Sequence, residues 1–117
     1  MDLLEDPSPL ELPDLDPQGE AHAGIFETAP MLYLREHLVR ERLLKGLPPQ
    51  RISFSQFGGA GSFRELGNGL GYTGDPSRAT AEIGGRIIEH YADRFKGLIL
   101  RHVRGEDVYD SLRFSGF

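Results

Sequence analysis

The sequence predicts an incomplete α/β domain, mostly two amphipathic helices and glycine-rich loops, with the sheet that should cover the helices missing. Three observations lead there. Apolar residues recur at helical spacing over two stretches, one after Thr28 and one after Asp75. Seven glycines fall between positions 58 and 74, a density that favours a long loop with several positive φ angles. Only one short segment, residues 52–57, has the composition of a strand. Two helices that each carry an apolar face need a partner surface, and one short strand does not supply it.

Residues 1–19 form an acidic lead-in. Pro7, Pro9, Pro13 and Pro17 alternate with carboxylates and with Leu3, Leu4, Leu10, Leu12 and Leu15, a pattern that cannot sustain a helix interior. An extended segment is expected, with a short helix at residues 9–12 as the lesser reading. Next comes Gly19-Glu20-Ala21-His22-Ala23-Gly24-Ile25-Phe26-Glu27-Thr28, which sets an imidazole and a carboxylate five residues apart in a turn of small residues that opens a helix.

The first helix is expected to be capped by Thr28, with Pro30 in its first turn where a missing N–H costs little. Met31, Leu34 and Leu38 define its apolar stripe, broadened by Leu32, Val39, Leu43 and Leu44, and Pro48-Pro49 ends it near Gly46. Residues 52–57 are the strand candidate, and residues 58–74 the glycine loop. The second helix opens with Asp75 as N-cap and Pro76 at its first position, carries Ala79, Ile83, Ile87, Tyr91 and Phe95 at three- and four-residue steps, and runs to about Arg101. Gly84-Gly85 in its interior costs roughly 1 kcal/mol per glycine relative to alanine, which points to another backbone packed closely there. The tail beyond it mixes charges with Tyr109, Leu112, Phe114 and Phe117 and has no clear period.

Composition narrows the function. At 117 residues the chain allows one modest domain, and its formal charge is −5. No lysine or arginine precedes Arg35, and the cations that follow are interspersed with acids, so a nucleic-acid backbone is not an expected partner. Absence of cysteine excludes disulfides and thiolate chemistry. No apolar run approaches a membrane span, and a soluble cytoplasmic protein is the expectation.

Most chemistry-bearing residues have a bland reading. Gly67-Asn68-Gly69-Leu70-Gly71 lacks the lysine and the strand-to-helix context of a phosphate cradle and reads as flexible loop. His37, His90 and His102 have no second ligand at helical spacing, and Ser53, Ser55, Ser62 and Ser77 have no nucleophile-elbow context. His22 and Glu27 differ, since Ala23 and Gly24 let a backbone or substrate approach. Two readings of that pair stand: the floor of a site, or a carboxylate placed by a helix N-terminus beside a loop histidine.

His22-Ala23-Gly24-Ile25-Phe26-Glu27-Thr28-Ala29-Pro30-Met31-Leu32 resembles the HAG-x-x-ETS-x-ML signature of the creatininase (creatinine amidohydrolase) family. Gly74-Asp75-Pro76-Ser77-Arg78-Ala79-Thr80-Ala81-Glu82-Ile83-Gly84 resembles that family's later GDP-x-x-AT-AEKG segment. The two occur in family order and cover roughly residues 18–96, the C-terminal part of a longer family domain. Ala29 stands where the family has Ser, and Pro30 is atypical. The resemblance implies a three-layer α/β/α domain with a two-metal site, zinc or manganese, that activates water to attack a non-peptide C–N bond in a cyclic amide or formamide. By that likeness Glu27 falls on a metal-ligand carboxylate and His22 on the active-site histidine that binds substrate and assists proton transfer.

The family's other ligands, a Glu-x-His pair, a bridging Asp and a further His, come from a preceding half that nothing before Glu20 resembles. The division is then an acidic lead-in over 1–19, a creatininase-like segment over 20–101 and a tail over 102–117. The expected function is that of the C-terminal portion of a metal-dependent amidohydrolase, inactive alone and completed by a second polypeptide or a second copy. Two alternatives stand beside it: a noncatalytic interaction module, or relic, that binds a partner through exposed helix faces, and a small-ligand binder using the glycine-rich loop.

Overall fold

The computed structural model describes residues 10–12 and 19–109. The remainder of the acidic lead-in and of the tail, and the readings that fall on them, lie outside the described residues. Four α-helices are present among the described residues: α1 (Ile25–Arg35), α2 (Glu41–Leu44), α3 (Phe54–Gly59) and α4 (Ala81–Val103), with short 3₁₀ turns between them. No β-strand occurs there; the single β-type pairing is an isolated antiparallel bridge between Gln50 and Gly74.

The first helix departs from expectation at both ends. It begins at Ile25 after Gly24, so Pro30 lies inside it and Thr28 in its first turn. It stops at Arg35, whose backbone leaves the helical region at φ −153° and ψ 60°. A 3₁₀ turn (Glu36–Leu38) and the one-turn helix α2 follow where a continuous helix to Gly46 was expected. The buried face matches the expected stripe only in part: Leu32 and Leu44 are in the core and Val39 packs against it. Ile25, Ala29 and Leu32 are buried, whereas Met31, Leu34, Leu38 and Leu43 are exposed. Both faces of this segment are apolar, so periodicity alone could not say which of them meets the core.

Residues 52–57 are not a strand. Ser53 accepts a hydrogen bond from Gln56 N (3.2 Å) while Gln56 Oε1 accepts from Ser53 N (2.8 Å). This reciprocal capping box opens α3 and satisfies amides that a strand would have offered to a neighbour. The glycine loop behaves as expected in its second part, with Gly67, Gly69, Gly71 and Gly74 all at positive φ.

Helix α4 is the longest element. Asp75-Pro76 forms a separate 3₁₀ turn (Pro76–Arg78), and Thr80 caps the helix by accepting from Ile83 N at 3.2 Å. The start therefore falls later than Asp75, because Thr80 offers a side-chain acceptor to the N3 amide and Asp75 does not. The expected close approach at Gly84-Gly85 is present. A Cβ on Gly84 would overlap the Ala29 carbonyl and stand 2.9 Å from Pro30 N, while one on Gly85 would stand 3.2 Å from the Tyr33 ring.

Around that crossing Ile25, Ala29, Leu32, Leu44, Ala79 and Ile87 form the core, with Ile83 and Tyr91 partly buried against it. Leu10 and Leu12 pack on the same cluster in a non-helical conformation, which ties the lead-in to the fold. Beyond Tyr91 the cover ends on one stripe: Phe95, Ile99 and Val103, spaced at i, i+4 and i+8, are exposed.

Candidate functional site

The loop that carries His22 is fastened to residues 73–75 by its own backbone. Thr73 is fully buried, and its hydroxyl accepts from Ala21 N (2.8 Å) and His22 N (2.9 Å). Its amide donates to His22 O at 2.8 Å. One threonine thus satisfies both polar groups of His22's main chain, which a buried loop must do somewhere. Gly74, the next residue, exchanges two 2.7 Å hydrogen bonds with Gln50, and Asn68 donates to the Gln50 side chain at 3.2 Å.

Glu20 occupies the centre of this cluster. One carboxylate oxygen accepts from Ile25 N and the other from Asp75 N, each at 2.7 Å. Gly24 and Gly74 make room for it, since a Cβ on either would overlap the carboxylate. Burial raises the Glu20 carboxyl above its ordinary 4.5; the two amide bonds pull the other way, and the charges of Asp75 and Glu27 add to the rise.

The imidazole of His22 is half-buried and stacks on Phe63, with ring centroids 4.1 Å apart and planes 14° from parallel. Stacking uses the ring's face and does not engage its nitrogen-bearing edge. Glu27 is exposed, in the first turn of α1, and its Oε2 accepts from Ala23 N. Ala23 itself is held at φ 51°, the left-handed region that costs a non-glycine residue about 1–2 kcal/mol. The backbone between His22 and Glu27 is therefore a constrained turn, of the kind that aims side chains at functional sites.

The structure thus sets His22 and Glu27 on one constrained turn beside residues 73–75, so the two sequence motifs meet. It does not gather three or more His, Cys, Asp or Glu side chains able to hold a metal among the described residues. A closed site uses three or four protein ligands, so the residues present do not fit a complete metal centre. Sequence reasoning missed Glu20 and Thr73 as organisers of the site. The glycines at 24 and 74, each forced by the same carboxylate, are the signal that could have found Glu20.

No helix of the described residues is long and apolar enough to cross a membrane. No curated protein and no solved structure matches the chain. The family model described as Creatininase: Creatinine amidohydrolase matches residues 2–99, reaching further toward the N-terminus than the two motifs do. Over most of its length, then, this chain belongs to the creatininase family.

Proposed function

We propose that the chain is the C-terminal portion of a creatininase-like, metal-dependent amidohydrolase that hydrolyses a non-peptide C–N bond in a cyclic amide or formamide. The family match over residues 2–99 carries this reading, and both the HAG and GDP motifs lie within it. Creatininases are generally divalent-metal enzymes. In this proposal the metals, zinc or manganese, are held mainly by ligands from a second polypeptide or a second copy in a three-layer α/β/α assembly, and Glu27 contributes one carboxylate. A carboxylate suits either ion. His22 binds substrate and moves a proton at its ring edge, a task for which a positioned imidazole is well matched near neutral pH. The chain by itself is inactive.

The test is co-expression with a polypeptide that carries a Glu-x-His pair, followed by assay of cyclic-amide hydrolysis. Activity that falls at least about tenfold in Glu27→Gln and in His22→Ala supports the proposal; each tenfold step corresponds to about 1.4 kcal/mol of transition-state stabilisation. Full activity in both variants would sink it.

One observation favours a second reading. The Glu27 carboxylate already accepts from Ala23 N at the helix N-terminus, as a purely structural residue would. With the apolar stripes of α1 and α4 exposed, the chain then serves as a noncatalytic interaction module. Under that reading the assembled complex forms but contains no metal.

A further inference from the structure

Glu20 joins two segments that are distant in sequence. Its partners, Ile25 N and Asp75 N, stand five and fifty-five positions away, and each has a carboxylate oxygen to itself. His22 lies inside the short span this clamp closes on one side, and Thr73, which holds both polar groups of the His22 backbone, lies next to it on the other. The glycines at 24 and 74 leave space for the carboxylate and for little else. We propose that Glu20 is the positioning residue of the site: its two-oxygen clamp on Ile25 N–H and Asp75 N–H sets the orientation in which His22 is presented against Phe63.

The chemistry singles out an ionised glutamate. Two converging N–H donors need two acceptors on one planar group, which a carboxylate supplies. Glutamine offers one oxygen and turns an NH₂ group toward the other donor. Aspartate is one methylene too short to span both. The charge is also held at a cost, since burial and the nearby Asp75 and Glu27 carboxylates oppose it more than the two amides favour it.

The inference rests on the reading in which His22 acts on substrate, but its test needs no turnover. The readout is the nuclear Overhauser contact between the His22 and Phe63 rings in the full chain, with the α4 amides as an internal check on folding. In Glu20→Gln and Glu20→Asp the ring contact is lost while the α4 amide pattern stays, and the Ile25 and Asp75 amides exchange faster with solvent. Persistence of the ring contact in a folded Glu20→Gln chain overturns the inference. Should both variants fail to fold, the wild-type chain decides: the ring contact is followed as acid protonates Glu20, read at its own carboxyl carbon. Loss of the contact with that titration supports the clamp, and its survival with Glu20 protonated overturns it. A chain that passes this test and shows no amidase activity in any assembly would leave the clamp standing and remove the enzymatic reading.

Discussion

The two faces of helix α1 are made of similar residues and have opposite fates. Ile25, Ala29 and Leu32 lie against α4, where Gly84 lets the two backbones come into contact. Met31, Leu34 and, just beyond the helix, Leu38 face outward, as do Phe95, Ile99 and Val103 on the far half of α4. The difference teaches that, among the described residues, there is more apolar helix surface than the neighbouring elements cover. One face belongs to a finished crossing, and the other is left exposed, which is the observation behind the proposed partner surface.

The largest effect is expected at the finished face. Gly84→Val drives a branched side chain into the Ala29 carbonyl and should lower the unfolding free energy, measured by urea titration, by about 3 kcal/mol or more. A smaller loss would mean that the helices cross less tightly than the structure describes. Next comes the loop. Thr73→Val leaves Ala21 N and His22 N without their shared acceptor and should cost about 2 kcal/mol, with those two amides losing protection from hydrogen exchange.

Acid is a gentler probe of the same loop. Because burial raises the Glu20 carboxyl above 4.5, the folded chain holds that proton more tightly than the unfolded chain. Glu20's contribution therefore favours folding fully below about pH 4.5 and is lost as pH rises through the raised value. A carbon-detected titration of Glu20 should show a midpoint above 4.5, and one at or below it would contradict this sign. The smallest effect on stability belongs to the open face. Leu38→Gln or Ile99→Gln should change the unfolding free energy of the isolated chain by no more than about 0.5 kcal/mol. Either change should reduce its self-association or partner capture in sedimentation, and a wild-type chain that sediments as a well-folded monomer would speak against a partner surface.

The legible parts of this fold were those decided by neighbours in sequence. Helix α4 could be read from Ile83, Ile87 and Tyr91, and Gly84-Gly85 announced the close crossing before any partner was known. The strand expected at residues 52–57 failed because Ser53 and Gln56, three positions apart, cap a helix, a signal outweighed by the aromatic and β-branched content around it. Leu32 was read correctly onto the buried face of α1 and Met31 and Leu34 were not, because tertiary contact, and not periodicity, selects between two apolar faces. Thr73 was not legible as a site residue because its partners lie more than fifty positions away, and Glu20 left only the indirect signal of the glycines at 24 and 74, one of its partners being fifty-five positions off. His22 and Glu27 were legible as a pair through spacing and family likeness, while the turn at Ala23 that connects them came only with the structure.

The central claim is that Glu27 belongs to a metal site completed from outside this set of residues. Calorimetric titration of zinc and manganese, into the chain alone and into its assembly with a Glu-x-His-bearing polypeptide, tests it most directly. The account predicts weak or no binding to the chain alone, tight binding to the assembly, and at least about tenfold weaker binding when Glu27 is replaced by Gln, the scale on which loss of one ligand or its support acts. An assembly that binds no metal, or binds it equally well with Glu27→Gln, would contradict the claim.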